Sequence, residues 1–295
     1  MKGKGEGQVE VLRPGPLGKP RLLAETAAYL VVYKPPLMHS VPRKKAVEGE
    51  LSLLDWCAGF FPEIRGLQNR SQGEGGILHR LDYETRGLVL FARTQEALGD
   101  LSRQQGEGLF FKEYEALSAE KGCGPPLPGF PLVSAGFSPE IFRESRWSFR
   151  EGEEPRFIES AFRPYGPGRQ AVRPLVRRPG GAVRRKREYA LDRGKPYRTE
   201  ILAWEKAGPY RRFILGISRG FRHQIRCHLA WIGFPLLNDR RYGGPAAPGP
   251  GACFLALRAR GFSFQDPLSR VRRAYRLLPE EDLPDFCGQV EGAGS

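Results

Sequence analysis

Short apolar runs, each bounded by proline or by a helix-capping residue, predict the elements of the first third of the chain. Within residues 22–36, the run Ala-Tyr-Leu-Val-Val-Tyr-Lys-Pro-Pro predicts a buried strand that the prolines end. Ser52 can cap a short helix that Pro62 stops. The apolar run 88–92 predicts another strand, and Thr94 can cap the helix after it. Strands and helices therefore alternate here.

The second part of the chain contains segments with the periodicity of strands and a segment with the periodicity of a helix. A period of two over 110–117 predicts a strand, and 199–204 with 211–217 predict a hairpin around a Gly-Pro turn. Apolar residues at helical spacing over 221–232, which end at Gly233, predict an amphipathic helix whose other face carries Arg222 and Arg226. Between 125 and 197 the pattern weakens, and irregular structure is expected. Without a regular βαβ rhythm, these elements predict an α+β fold with a mixed, largely antiparallel sheet flanked by helices and loops.

The same pattern predicts one main domain with two tails. Residues 1–20 are rich in Gly, Pro and Lys and predict a flexible basic tail. Residues 21–278 predict a single catalytic domain with a basic insertion at about 125–198, and residues 279–295 a C-terminal tail.

The charge of the chain indicates what kind of partner it binds. The 47 basic residues exceed the 33 acidic ones, which gives a net charge of +14 and indicates a polyanion such as nucleic acid as partner. Much of this excess lies between 163 and 198, a segment expected to bind phosphates, with Tyr165 and Tyr189 as candidates to stack on bases. A solvated basic loop is the alternative. The basic residues of the segment are Arg163, Arg169, Arg173, Arg177, Arg178, Arg184, Arg185, Lys186, Arg187, Arg193, Lys195 and Arg198, against Glu188 and Asp192.

Several function classes find no support in the sequence. The N-terminus has no apolar core of a secretory signal, and the apolar runs are too short to cross a bilayer, which predicts a cytoplasmic protein without membrane contact. Five cysteines without C-x-x-C spacing indicate reduced thiols. No dinucleotide fingerprint, phosphate-binding loop or metal-ligand pattern is present, so no cofactor, nucleotide or metal is expected.

The segment 75–87 is the best candidate for chemistry. It places Asp82 among arginines and glycines on a tight loop before a strand, where functional residues tend to lie. A carboxylate can act as nucleophile or base, and a nearby arginine would keep it ionised. The alternative is that Asp82 only caps a turn with Thr85.

Four blocks of the sequence resemble, in order, those of the RluA-type pseudouridine synthases. They span most of the chain, and the second and fourth together are the specific ones. The blocks are Val-Tyr-Lys-Pro-Pro at 32–36, His-Arg-Leu-Asp at 79–82 with Thr85 and Gly87, Lys-Glu-Tyr at 112–114, and His-Gln-Ile-Arg-Cys-His-Leu at 223–229 with Gly233, Pro235, Leu236, Asp239 and Tyr242-Gly243.

The resemblance implies the pseudouridine synthase fold and a cofactor-independent isomerisation of uridine to pseudouridine in ribosomal or transfer RNA by an isomerase. We expect the protein to be a monomer. The resemblance also implies the roles of the residues. Asp82 starts the reaction as nucleophile or as base, Arg226 pairs with it, and Tyr114 stacks on the uracil and can move a proton. Arg80 fills the gap left by the flipped base. The other residues assigned to substrate binding are His79, Lys34, Thr85, Arg222 and His223. Lys34 is equally consistent with a phosphate contact and with a carboxylate pair.

The match has departures, and other functions compete with it. Arg222 is displaced by one position from the family arginine, which on a helix turns it by about 100°. Tyr33 replaces an asparagine, and Arg86 stands where a small hydroxyl residue is common. A non-catalytic RNA-binding protein on the same scaffold is the main alternative. An aspartate-dependent glycosidase or hydrolase would need a second carboxylate at a suitable distance, for which Glu84 is the nearest in sequence.

Overall fold

The structure is a computed structural model of the 295-residue chain. It describes residues 8–12, 18–43, 49–119, 127–131, 146–150, 156–175, 196–247 and 254–278. The chain divides into two compact units. The first is Met1–Tyr114 with Arg258–Asp282, and the second is Glu115–Leu257 with Leu283–Ser295. The domain boundaries expected from the sequence, at 21 and 278, differ from these and remain a prediction.

The described residues form twelve strands and three α-helices. The strands are β1 Gln8–Leu12, β2 Arg21–Glu25, β3 Tyr29–Lys34, β4 Arg86–Ala92, β5 Phe111–Ala119, β6 Arg146–Ser148, β7 Arg156–Tyr165, β8 Ala171–Leu175, β9 Tyr197–Ala207, β10 Tyr210–Ile217, β11 Leu257–Gln265 and β12 Arg272–Leu277. The α-helices are α1 Leu53–Phe60, α2 Gln95–Glu107 and α3 Gln224–Trp231, and 3-10 helices cover Pro62–Gly66, Pro167–Arg169 and Arg240–Tyr242.

The first unit is built on a mixed sheet. Its strands follow the order β2, β3, β4, β11, β12, β1, in which β4 pairs with β11 and β1 with β12 in parallel, and the other neighbours are antiparallel. β3 and β4 are buried along their whole length. Apolar side chains of α2, including Leu98 and Leu101, pack in one cluster with Leu88, Leu90 and Phe264 of the sheet. This burial of apolar surface drives the unit's folding.

The second unit is antiparallel, with α3 packed on it. Strands β10, β9, β7 and β8 pair in that order, and β6 also pairs with β9. Phe162 of β7 and Val172 of β8 share a buried cluster with Cys227 and Ala230 of α3. All eight residues of α3 are buried, so α3 presents no polar outer face.

Both predicted helix caps of the first unit are confirmed. Ser52 accepts from the backbone of Asp55, whose carboxylate accepts from the Ser52 N–H, which completes a capping box at α1. The Thr94 hydroxyl accepts from Ala97 N at 3.1 Å, and α2 ends at Gly108 in the left-handed conformation. Each such cap contributes about 1 kcal/mol.

The strands predicted at 22–36, 88–92 and 110–117 and the hairpin of 199–217 are likewise confirmed. The mixed sheets with few helices confirm the predicted α+β class.

Two predictions about where regular structure forms were wrong. Gln8–Leu12, assigned to a flexible tail, form β1, whose main-chain groups pair with β12. The described part of 125–197, expected to be irregular, contains the β7–β8 hairpin. Its side chains Phe162 and Val172 are buried against α3, so the hairpin is stabilised by a distant element and not by a pattern within its own sequence. Residues 176–195, 279–295 and most of the first seventeen lie outside the described residues. Within the described ranges, no helix is long and apolar enough to cross a membrane.

Candidate active site

The Asp82 loop of the first unit lies between Leu78, whose N–H donates to Leu90 O at 2.9 Å, and β4. Ser40 fixes the position of this loop, because its hydroxyl donates to Leu81 O at 2.9 Å and accepts from Leu81 N at 3.0 Å. Thr85 N donates to Asp82 O at 3.0 Å. The turn is therefore closed by the main chain, and the Asp82 side chain is half-buried at its tip.

Lys34 is fully buried beneath this loop. Its Nζ donates to Pro35 O at 2.9 Å, to Met38 O at 2.8 Å and to Tyr83 O at 3.3 Å. Burial lowers the pKa of Lys34 to about 7, and the negative charges of Asp82 and Glu84 act in the opposite direction. The ammonium thus ties the end of β3 to the residue after Asp82, and it exposes no surface to a substrate.

Tyr114 lies in β5 and ends the Met1–Tyr114 segment of the first unit. Its side chain is buried close to the Asp82 carboxylate. Burial, and after it the charge of Asp82, raises the pKa of the Tyr114 hydroxyl above its usual value. The phenol therefore stays protonated at neutral pH. Lys112, two residues earlier, is also buried, which lowers its pKa to about 8. Tyr114, Lys34 and Asp82 form the part of the predicted site that the first unit brings together.

The other predicted residues of this loop divide into one exposed and two buried side chains. Arg80 is 59% exposed and pairs with Glu74 at 2.9 Å. His79 is buried against Phe110 and Phe262, and its Nε2–H donates to Leu88 O at 3.2 Å. Burial and the charge of Lys112 lower the pKa of His79 to about 3, so the ring is neutral.

Thr85 is buried as well. Of the loop residues assigned to substrate binding, Arg80 therefore offers an exposed side chain, whereas His79 and Thr85 lie inside.

Gly87 explains why the loop can end so close to the sheet. Its φ is +124°, and a Cβ at this position would lie 2.2 Å from the carbonyl oxygen of Ala259, its partner in β11. Only glycine fits this close approach of two backbones.

In the second unit, Arg226 is held inside α3 by a buried ion pair. Its Nε and Nη2 both donate to Asp239, at 2.8 Å each. The guanidinium also lies over the ring of Tyr242, 5.6 Å from its centroid. Two parallel hydrogen bonds to one carboxylate fix the guanidinium plane. The expectation that Arg226 lies on the polar outer face of a helix was wrong, because the face that carries it is buried with its counter-charge.

Arg222 and His223 precede α3, so the argument about a 100° rotation on the helix does not apply to Arg222. Arg222 is exposed, and its Nη2 donates to Arg169 O at 2.7 Å in the turn between β7 and β8. His223 has a left-handed backbone, with φ +56°, and its Nδ1 bonds to the Tyr242 hydroxyl at 3.1 Å. Burial and the neighbouring arginines, Arg226 first, lower its pKa to about 3.

The described part of the basic insertion is ordered by its own contacts. Arg173 donates to Gly129 O at 2.9 Å, and Arg198 pairs with Glu159 at 2.7 Å. Tyr165, a candidate for base stacking, donates its hydroxyl to Pro128 O at 2.6 Å and packs edge-on against Phe130. The Tyr165 ring therefore takes part in the packing of the fold. Tyr189 and the arginine cluster of 184–187 lie outside the described residues.

Sequence reasoning missed the role of Asp239. It belongs to the fourth matched block, but its position thirteen residues after Arg226 gave no sign that it is the ion-pair partner. A carboxylate within such a block of a strongly basic chain was the available clue.

The chain is similar to known proteins of one family. The model of the RNA pseudouridylate synthase family matches residues 28–231. A protein of Pasteurella multocida named ribosomal large subunit pseudouridine synthase D is 29% identical over 173 residues, which cover 59% of this chain and 39% of that protein. Its namesake from Nitrosomonas europaea is 29% identical over 213 residues, 71% of this chain and 48% of that protein. The chain thus spans about half or less of the length of these curated relatives.

A solved structure shares the fold. Human RNA pseudouridylate synthase domain containing 1 superposes with a TM-score of 0.56 at 20% identity, and the match covers 93% of this chain and 89% of that one. The predicted fold and family are both confirmed. Because the family model covers more than half of its residues, the chain belongs to the RNA pseudouridylate synthase family.

Proposed function

We propose that the chain isomerises uridine to pseudouridine in RNA and that Asp82, Tyr114 and Arg226 carry the reaction. The observation that carries the proposal is the setting of Asp82 in the first unit. A half-buried carboxylate acts electrostatically on the buried ammonium of Lys34 and on the buried phenol of Tyr114. Perturbed titratable groups around one carboxylate are typical of a catalytic site.

The reaction is an internal rearrangement without change of oxidation state. The bond between N1 of uracil and C1′ of ribose breaks, the freed ring turns, and C5 bonds to C1′. The hydrogen on C5 is lost as a proton, and N1 gains one. Asp82 starts the sequence either by attacking as a nucleophile or by removing the 2′ proton of the ribose. Tyr114, protonated at neutral pH, stacks on the uracil and exchanges a proton with it.

Arg226 is the third residue of the proposal, assigned to the reaction as the arginine of the fourth block. A guanidinium has five N–H donors, and the pair with Asp239 uses Nε and Nη2. This pair fixes the plane of the guanidinium, and a charge held in this way needs no reorganisation during a reaction. The pairing with Asp82 that the resemblance implies stays a prediction.

The proposed substrate is ribosomal RNA of the large subunit, after the names of the two curated relatives, with transfer RNA as the other candidate. The net charge of +14 favours a polyanion. Arg80 and Arg222, both exposed, are the proposed RNA contacts. Lys34, His79 and Thr85, all buried, together with the half-buried His223, are assigned to support of the site. We place the protein in the cytoplasm, acting as a monomer.

The test is release of tritium from RNA labelled at uracil C5. Wild type should release label from a large-subunit ribosomal RNA transcript, and Asp82→Asn should lower kcat by about three orders of magnitude or more, because the side chain keeps its size and loses its charge. Its free energy of unfolding and its affinity for the RNA should stay close to wild type. Tight binding by wild type without release of label would instead support the non-catalytic alternative.

A further inference from the structure

An aromatic pair, of which Tyr83 is the exposed member, lies directly beside Asp82. Tyr83 is 40% exposed, although it follows the half-buried aspartate by one residue. Its ring packs against the imidazole of His39, with 4.6 Å between centroids and 34° between planes. One face of the tyrosine is thus supported by a second ring. Neither residue has a role in the proposed chemistry.

This pair is held in place by its neighbours. Lys34 Nζ donates to the carbonyl of Tyr83, and Ser40, next to His39, holds Leu81. The imidazole of His39 lies 3.5 Å from Glu50. Burial, followed by the charge of Arg43, lowers the pKa of His39, which favours the neutral imidazole. The result is an aromatic surface with restricted freedom next to Asp82.

We propose that the Tyr83–His39 pair is a stacking platform for an unpaired base adjacent to the target uridine. The inference rests on the proposed function, because a uridine that leaves its stack for Asp82 deprives the neighbouring base of a partner. Every base has a π-face, and aromatic side chains are the usual replacement partner in single-stranded RNA. The platform selects an RNA whose next nucleotide is free to splay onto Tyr83.

The first unit supplies a matched control. Phe60, on α1, is 67% exposed and packs against Trp56 with 5.2 Å between ring centroids. It is also an exposed ring on an aromatic partner, and none of its described contacts joins it to the Asp82 loop. If any exposed ring sufficed for RNA affinity, Phe60→Ala and Tyr83→Ala would behave alike.

The first measurement is the affinity of a short oligouridylate for proteins that all carry Asp82→Asn. Adding Tyr83→Ala should weaken binding about 5-fold or more, the usual effect of removing one stacked ring. Tyr83→Phe, which keeps the ring, should stay within about 2-fold, and Phe60→Ala should bind as well as the parent. Stacking releases no counterions, so the slope of log K against log salt should be the same in all four proteins.

The second measurement separates stacking from loop support. In the active protein, Tyr83→Ala should raise KM for tritium release and leave kcat within about 3-fold. The proposal is overturned if Tyr83→Ala binds the oligouridylate like the parent, or if Tyr83→Phe loses as much affinity as Tyr83→Ala. It is also overturned if kcat alone falls. Absence of tritium release by wild type would defeat the proposed function, while the binding series would still decide the stacking.

Discussion

The two units hold their charged residues in opposite ways. Asp82 lies half-exposed on a loop whose fixed contacts are main-chain ones, made by Ser40, Thr85 and Lys34. Arg226 is buried in a helix and fixed through its own side chain by Asp239. The first arrangement leaves the Asp82 side chain partly exposed, whereas the second holds the Arg226 guanidinium in one orientation.

The difference predicts whether substitution of each residue changes activity alone or activity and stability together. Removing the charge of a half-exposed carboxylate changes the reaction and leaves the fold almost untouched. Removing one charge of a buried pair leaves the other uncompensated in a low-dielectric interior, which is expensive. Activity and stability should therefore separate in the first unit and fall together in the second.

The largest expected effect is that of Asp239→Asn. It should lower the free energy of unfolding by about 3–5 kcal/mol, because the Arg226 guanidinium stays buried without its counter-charge. Tritium release should fall as well. Urea unfolding followed by circular dichroism measures the loss, and Asp82→Asn is the partner variant expected to keep its stability.

An exposed pair in the same unit gives the baseline for that comparison. Glu159→Gln breaks the contact with Arg198 at the surface and should change stability by about 0.5 kcal/mol or less. If Asp239→Asn were no more harmful than Glu159→Gln, the contrast between the two units would be wrong.

A second, smaller effect is acid sensitivity from one buried histidine in each unit. His79 and His228 have folded pKa values of about 3, lowered by burial, against about 6.5 in the unfolded chain. Between these values the unfolded state binds more protons, so the free energy of unfolding falls as pH drops below about 6.5. Each ring should cost about 2 kcal/mol by about pH 5.

The two rings can be told apart by substitution. His79→Gln and His228→Gln should each show a smaller drop between about pH 7 and about pH 5 than wild type, by about 2 kcal/mol. Urea unfolding at both pH values is the measurement. A drop equal to that of wild type in either variant would mean that its histidine does not titrate as a buried neutral ring.

A smaller effect on stability than that of either histidine is expected for Lys34→Met, and it sharpens the description of the loop. Losing the ammonium leaves three carbonyls without their donor, but it also removes the cost of burying a charge, so stability should change by about 1 kcal/mol or less. The loop that carries Asp82 loses its support, and kcat should fall about 10-fold.

The control for this variant is Lys19→Met, an exposed lysine of the same unit. It should leave both kcat and stability at the wild-type level. An unchanged kcat in Lys34→Met would show that Ser40 and Thr85 hold the loop without help.

Local signals explain what the sequence could predict. Caps such as Ser52 and Thr94, the apolar run of β4 and the turn at Gly208 act within a few residues, so each leaves a readable pattern. The fold class and the family followed from such patterns and from matched blocks.

What the sequence did not reveal depends on distant partners. β1 forms because its main chain pairs with that of β12, which lies more than 260 residues further along the chain. β8 is stabilised by the Tyr242 hydroxyl, which accepts a hydrogen bond from Val172 N at 2.9 Å. Asp239 lies thirteen residues after Arg226, outside α3, and the two pair in the folded protein. In each case the stabilising contact has no counterpart within a short window of sequence.

The pairing of β1 with β12 bears on the order in which the protein is made. Gln8–Leu12 are synthesised long before the strand that pairs with them, Arg272–Leu277, which follows only after all of Glu115–Leu257. Because chains fold as they emerge, the Glu115–Leu257 segment of the second unit can acquire structure while the first unit still waits for its last strands. Until then, the largely apolar strands β3 and β4 of the nascent first unit lack their last neighbours, and this is the stage most exposed to aggregation.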